Sequence, residues 1–184
     1  TTDRSLISMI NKIVLTPERI FLFDIQDKKI LLFTRRGKFI TDIRPHGRGP
    51  GEWLGITDFT VDETDREIIV TADRPYKFLY YNGNFLREKT SEAFYTEITR
   101  TTDNILDINS KVLEPKHYLS LLNEEDHRIT VAKKIPLAFT YRGEFRCRGS
   151  YLLKSEHLYF TQNGDYTIYS WDNNRIKPVV TVDF

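Results

Sequence analysis

The chain has 184 residues, a formal net charge of +1 and a hydrophobic fraction of 40%. That length suits one domain with a sizeable core, and no apolar run is long enough to span a membrane. Lys and Arg are interspersed with Asp and Glu, so the chain lacks the basic stripe that a nucleic-acid partner requires.

The first quarter of the chain predicts short strands. Residues 5–15 fit either a short helix or a strand, and we favour a strand because the residues that follow all have strand character. Three compact apolar runs then predict consecutive antiparallel strands with tight turns, and almost no α-helix is expected. These runs are Arg19–Asp24, Lys28–Thr34 and Lys38–Ile43, followed by a Gly- and Pro-rich connection over Arg44–Leu54.

The same order of elements follows. Ile56–Val61 is predicted as a strand with alternating inward and outward side chains, and Asn82-Gly83 predicts a type I′-like hairpin turn. The remaining strands of this part are predicted at Glu67–Thr71, Tyr76–Tyr81 and Asn84–Glu88.

The second half of the chain contains eight further candidate strands. Those of the third unit are Phe94–Thr99, Ile105–Ile108, Tyr118–Leu122 and Arg128–Ala132. Those of the fourth are Phe145–Leu153, His157–Thr161, Tyr166–Trp171 and Arg175–Val182.

A hairpin motif recurs along the chain. Phe33-Thr-Arg-Arg-Gly37-Lys-Phe39 returns as Phe139-Thr-Tyr-Arg-Gly143-Glu-Phe145, with a looser copy at Tyr81-Asn-Gly83-Asn-Phe85. A period of about 45 residues with four short strands is typical of β-propeller blades. The chain is therefore predicted to be an all-β propeller domain with about four blades, at approximately 5–54, 55–93, 94–136 and 137–184. A β-sandwich is the alternative fold.

Several segments carry a family resemblance. Ile20-Phe-Leu-Phe-Asp24, Lys29-Ile-Leu-Leu-Phe33 and above all Gly47-Arg-Gly-Pro-Gly-Glu52 resemble the six-bladed β-propeller proteins of Bacteroidetes. Those proteins are distantly similar to NHL-repeat propellers and are typically exported, often as lipoproteins. The resemblance implies a periplasmic or cell-surface location, with a lipid anchor in the precursor. Because four units fill this chain and the family pattern has six, we expect the chain to be part of a larger ring; a smaller, closed ring of four blades is the alternative.

The Gly-rich loop holds the candidate ligand-binding residues His46, Arg48, Glu52 and Trp53. In one interpretation, backbone N–H groups and the two basic side chains bind a carboxylate or phosphate, and Trp53 is a stacking platform. In the other, the loop is a tight crossover in which Arg48 pairs with Glu52 and Trp53 packs between blades. We favour the crossover.

Other chemistry has weaker support in the sequence. Carboxylates that follow or interrupt strands either hold Ca²⁺ in a propeller channel or accept hydrogen bonds from turns, and we favour the turns. They are Asp24, Asp58, Asp62, Asp73 and Asp107. The four histidines have no metal-ligand spacing, so no metal site or other cofactor is expected. The single cysteine, Cys147, is expected to be a buried, inert thiol.

These patterns favour a non-enzymatic binding or scaffold propeller whose ligand is a protein or a carbohydrate. A metal-dependent hydrolase resembling the sugar lactonases, with its site in the propeller channel, is the alternative. Both expectations rest on likeness of fold, which is weak support for a function.

Overall fold

A computed structural model describes residues 3–72, 75–90, 97–100, 105–108, 119–122, 128–132, 152–154, 158–161, 167–172 and 175–183. Within these segments there is no α-helix, and the one helical turn is a 3₁₀ turn at Asp3–Ser5. The chain divides into two compact units, Thr1–Phe94 and Tyr95–Phe184.

The first sheet of the first unit is a four-stranded antiparallel meander. Its strands are β1 (Ile10–Leu15), β2 (Arg19–Asp24), β3 (Lys29–Thr34) and β4 (Phe39–Ile43), hydrogen-bonded in that order. The predicted consecutive pairing of the last three strands is confirmed. The strand predicted over residues 5–15 is confirmed only from Ile10, because Ser5 ends the 3₁₀ turn.

The second sheet repeats this arrangement. Its strands are β5 (Ile56–Asp62), β6 (Glu67–Ala72), β7 (Pro75–Tyr80) and β8 (Phe85–Thr90), again in chain order. The alternation predicted for β5 is wrong, since every residue of this strand except Thr57 is buried. A strand that is covered on both faces has no side that must be polar.

One hydrophobic core joins the two sheets. Two aromatic pairs contact each other edge to face across the two sheets. The ring centroids of Phe21 and Tyr81 are 5.1 Å apart, and those of Phe23 and Phe59 are 6.3 Å apart. Such edge-to-face pairs add to the stabilisation from apolar burial. The buried members of this core are Phe21, Phe23, Ile30, Leu32, Ile43, Trp53, Ile56, Phe59, Val61, Ile68, Val70, Ala72 and Leu79.

The repeated hairpin is the same turn in both sheets. Gly37 N donates to Thr34 O at 2.9 Å, and Gly83 N donates to Tyr80 O at 2.8 Å. Both glycines are left-handed, with φ of 81° and 87°. Asn82 does not have a positive φ, so the predicted type I′-like geometry is wrong. The pattern is that of a type I turn followed by a bulge at a left-handed glycine.

The second unit contains two further four-stranded antiparallel sheets. One comprises β9 (Glu97–Arg100), β10 (Ile105–Ile108), β11 (Leu119–Leu122) and β12 (Arg128–Ala132). The other comprises β13 (Leu152–Lys154), β14 (Leu158–Thr161), β15 (Thr167–Asp172) and β16 (Arg175–Thr181). Each of these strands overlaps a predicted one. The third hairpin copy at 139–145 lies outside the described residues.

Candidate ligand-binding loop

The loop 44–54 connects β4 to β5 and is held by the indole of Trp53. This side chain is only 1% exposed and belongs to the core of the first unit. Its Nε1 donates a hydrogen bond of 3.2 Å to the carbonyl of Lys28, in the turn between β2 and β3. The Lys28 ammonium in turn donates to the carbonyl of Leu54 at 2.9 Å. The C-terminal end of the loop is therefore fixed from both sides.

The two halves of the loop also pair with each other. His46 and Trp53 form an isolated parallel bridge, in which Trp53 N donates to Pro45 O and Gly47 N donates to Trp53 O, each at 3.4 Å. This bridge closes the glycine-rich part of the loop into a compact ring of backbone.

The carboxylate of Glu52 lies inside this ring. Gly49 N donates to Glu52 Oε2 at 2.8 Å, and Glu52 N donates to Gly49 O at 3.0 Å. A Cβ added at Gly49 would lie 3.0 Å from Oε2, and one at Gly47 would lie closer still. Glycine at these positions thus makes room for the carboxylate. The loop's own anion occupies the backbone nest that we considered for an external anion.

Arg48 does not form the predicted pair with Glu52. In the described part of the chain Arg48 has neither an ion pair nor a hydrogen bond. The prediction was wrong because Glu52 turns inward to the backbone, whereas Arg48 and His46 remain exposed. The loop therefore presents two basic side chains on a backbone that its own contacts hold in place.

Trp53 has the burial that the crossover interpretation predicts. An indole with 1% exposure cannot stack against a ligand, so the stacking platform is ruled out. Of the four candidate residues, Trp53 and Glu52 fix the loop, and His46 and Arg48 face solvent. A ligand-binding role for these residues stays a prediction.

The loop also packs against the second sheet at Gly51. This residue is left-handed, with a φ of 76°, and a Cβ here would lie 2.6 Å from the Phe85 Cβ at the start of β8. Only glycine satisfies both conditions without strain. The glycines of the loop thus have packing reasons independent of any ligand.

Two of the acidic candidates accept hydrogen bonds from backbone N–H groups. Asp24 accepts hydrogen bonds from the backbone N–H groups of Ser8, Met9 and Asp27. Asp62 accepts from those of Thr64 and Asp65, as expected for an aspartate after a strand.

Asp58 instead forms an ion pair with Lys12. The side chains of Asp73, Asp107 and Cys147 lie outside the described residues, as do His117, His127 and His157. Among the side chains described, no three His, Cys, Asp or Glu groups come together in a way that could hold a metal ion.

A buried lysine is the polar feature that the sequence did not point to. Lys29, 1% exposed, donates to the Leu6 carbonyl at 2.7 Å and to Asp27 Oδ2 at 2.8 Å. The hydrogen bond from Lys29 is the main cause that lowers the pKa of Asp27. The only sequence signal was the charged residue opening an apolar strand. Lys29 holds the N-terminal segment in place, because it contacts Leu6 in that segment and Asp27 in the adjacent turn.

Solved structures with the same fold come from proteins with different designations. The chain is similar to a protein of Bacteroides fragilis NCTC 9343 designated "Putative exported protein", with 18% identity, a TM-score of 0.78 and coverage of 98% of this chain and 52% of that one. It is similar to a DUF4221 family member from Bacteroides vulgatus, with 11% identity, a TM-score of 0.71 and coverage of 99% and 60%. Virginiamycin B lyase from Staphylococcus aureus has 14% identity, a TM-score of 0.59 and coverage of 95% and 56%.

Identities this low establish the fold alone, which is an all-β propeller fold and not a sandwich. The chain spans less than two thirds of each of these structures. Comparison with curated proteins gives no match. In the described residues, no helix has the length and apolar character to cross a membrane. The family model described as "Domain of unknown function (DUF4934)" matches residues 1–184, and the chain therefore belongs to that family.

Proposed function

We propose that this chain is part of a non-enzymatic binding or scaffold propeller that holds an anionic group of a protein or carbohydrate ligand at the loop 44–54. The observation that carries the proposal is Arg48, exposed and without a partner in the described part of the chain, on a loop fixed by Trp53 and Glu52. A guanidinium can bind a carboxylate or phosphate through two parallel hydrogen bonds. A loop that is already ordered loses little conformational freedom on binding.

The proposed location is the periplasm or cell surface, with a lipid anchor in the precursor. Its support is the likeness to the protein of Bacteroides fragilis designated "Putative exported protein". The proposed ring is six-bladed and related to NHL propellers, with the four sheets here as four of its blades. The greater length of the similar structures supports a ring with more sheets than these four.

The hydrolase alternative lacks a comparable observation. It requires carboxylates that converge on one point of the channel. In the described residues, Asp24 and Asp62 accept hydrogen bonds from backbone N–H groups, and Asp58 forms an ion pair with Lys12. We therefore propose the binding function alone.

Binding to immobilised polymers of known charge tests the proposal. The probes are polyglutamate and polygalacturonate, which carry carboxylates, and dextran, which is neutral. We expect the full chain to bind one of the acidic polymers with an affinity that falls as salt rises. Arg48→Ala should weaken that binding, whereas Arg36→Ala, at an exposed turn position, should not.

Three results would contradict the proposal. Equal binding to dextran, or an Arg48→Ala variant that binds as the parent does, would remove the role of the loop cations. Hydrolysis of a lactone panel that depends on Ca²⁺ and disappears with a chelator would show that the protein is an enzyme.

A further inference from the structure

Asn82 and Gly83 form a reactive dipeptide at the tip of the hairpin between β7 and β8. In an Asn-Gly sequence the glycine nitrogen can attack Cγ of the asparagine side chain. A bond forms between these two atoms, the nitrogen loses its proton, and the side-chain amide leaves as ammonia. Water then opens the resulting succinimide to aspartate or to isoaspartate. Glycine permits this attack because it has no side chain to hinder its nitrogen.

In the closed turn both reacting groups have hydrogen-bond partners. Gly83 N donates to Tyr80 O at 2.8 Å, so the proton that the reaction must remove is bound to a carbonyl. The Oδ1 atom of Asn82 accepts a hydrogen bond of 2.9 Å from Asn84 N, which fixes the orientation of the side-chain amide. Both contacts must be given up before the nitrogen and Cγ can meet. The closed turn should therefore suppress the reaction.

The strand that follows this turn is placed to open locally. β8 lies at the edge of its sheet, next to β7. Asn82, Asn84 and Phe85 are exposed, so the tip of the hairpin lies at the surface. Peripheral segments of this kind open at a smaller cost in free energy than the whole domain does. Opening frees the Gly83 N–H and the Asn82 amide together, because neighbours in the same turn hold both groups.

The product does not fit the turn as asparagine does. Isoaspartate adds an extra carbon atom to the backbone and a negative charge to the side chain. Gly83 has a left-handed φ of 87° and lies close to Ile43, since a Cβ added at Gly83 would be 3.1 Å from Ile43 Cγ1. Ile43 is buried in the core that joins the two sheets. A lengthened turn must therefore move Gly83 away from this position or strain the backbone.

We propose that Asn82 is a deamidation site that the closed turn suppresses and that local opening of β8 makes reactive. The co-reactant is water, and the products are ammonia and a turn that contains aspartate or isoaspartate. The isoaspartate form opposes closure, because its backbone no longer matches the native turn. The modification thus records that the β7–β8 hairpin has opened, and it weakens the edge of the second sheet afterwards. The site is separate from the loop 44–54 and does not depend on the proposed function.

Mass spectrometry of proteolytic fragments tests the proposal on the full chain. The chain is incubated at mildly alkaline pH in buffer and in guanidinium chloride, and loss of the Asn82 amide is followed with time. In the unfolded chain, Asn82 should react at a rate comparable with that of Asn163, because Asn163-Gly164 is the second Asn-Gly dipeptide of the sequence. In the folded chain, Asn82 should react at least about tenfold more slowly, which corresponds to an opening free energy of about 1.4 kcal/mol.

Two variants separate the parts of the proposal. Asn82→Arg copies the Arg36-Gly37 turn of the first sheet, so it should fold as the parent does without reacting at this position. Asn82→Asp carries the charge of the product without the longer backbone. It should keep the melting temperature of the parent, whereas the isoaspartate form, isolated by chromatography, should melt at a lower temperature.

Three outcomes would overturn the proposal. Equal rates at Asn82 in the folded and the unfolded chain would show that the turn does not suppress the reaction. An unfolded chain that keeps its Asn82 amide while Asn163 reacts would show that Asn82 is not a deamidation site. An isoaspartate form that melts with Asn82→Asp would show that the modification does not weaken the sheet. None of these outcomes bears on the loop 44–54, because each reports on the β7–β8 hairpin alone.

Discussion

Lys12 and Asp58 form an ion pair that joins the first strands of two neighbouring sheets. Lys12 Nζ on β1 lies 2.7 Å from Asp58 Oδ2 on β5, with side chains that are 21% and 3% exposed. The same ammonium lies 5.9 Å from the centroid of the Phe59 ring, which belongs to the shared core. The pair therefore holds the sheets together beside their hydrophobic contact.

Removing one partner of this pair should destabilise the fold. Asp58→Asn leaves the Lys12 charge in a poorly solvated place, and we expect a loss of about 1–3 kcal/mol in the free energy of unfolding, below the full cost for a buried pair because Lys12 is partly exposed. The measurement is urea denaturation of Asp58→Asn, Lys12→Met and the double variant. The double variant should lose less than the two single variants together. Additive losses would show that the pair is not coupled.

Substitutions at the two turn glycines distinguish the cost of backbone strain from the cost of a steric clash. Gly37 and Gly83 have similar left-handed φ values, but a Cβ meets nothing within 4 Å at Gly37 and meets Ile43 Cγ1 at 3.1 Å at Gly83. Gly37→Ala should therefore cost about 1 kcal/mol from strain alone. Gly83→Ala should cost more, and Gly83→Val more again, because Ile43 is buried and must move. Thermal or urea unfolding measures the order.

Gly55→Ala is the matched control for these variants. Gly55 has no left-handed φ, and a Cβ there meets nothing within 4 Å. Its stability should stay within about 0.5 kcal/mol of the parent. If Gly37→Ala were equally neutral, the left-handed conformation would not be the reason for glycine in the repeated turn.

The repeated turns were predictable from sequence because their determinants are local. Each turn glycine lies four residues after an apolar strand residue and is followed by a second apolar run. This local pattern is sufficient to place a reversal of the chain at Gly37 and at Gly83. The type of the turn at Asn82 was not predictable from sequence. Whether Asn82 adopts a positive φ depends on the register of β7 against β8, and that register shifts at Phe78.

The loop 44–54 was predictable only in outline. Burial of Trp53 follows from its size and apolar character. The orientation of the Glu52 side chain does not follow from the sequence. The same sequence permits a hydrogen bond inward to Gly49 N and an ion pair outward with Arg48. Lys29 was missed for a related reason, since its acceptor is the backbone of Leu6, which only tertiary structure brings near.

The raised pKa of Tyr81 predicts a loss of stability in alkali. The folded value is about 12, against an ordinary value of 10.0, and burial is the main cause. The folded state therefore binds more protons than the unfolded state between pH 10 and pH 12. Stability from this group is complete below about pH 10 and falls as the pH rises toward 12. Urea denaturation at a series of pH values should show a shallower decline for Tyr81→Phe, and an unchanged decline would show that other groups determine it.

Two substitutions in the loop 44–54 should differ in their effect on stability, one being destabilising and the other neutral. Trp53→Ala removes a buried indole and its hydrogen bond to Lys28 O, so the free energy of unfolding should fall by about 3–5 kcal/mol. Trp53→Phe should lose less, because it keeps most of the apolar volume. Arg48→Ala should stay within about 0.5 kcal/mol of the parent, since Arg48 is exposed and without a partner in the described residues. Melting curves of the three variants decide the matter: a neutral Trp53→Ala would show that the indole does not fix the loop, and a destabilised Arg48→Ala would show that Arg48 is a structural residue and not a binding one.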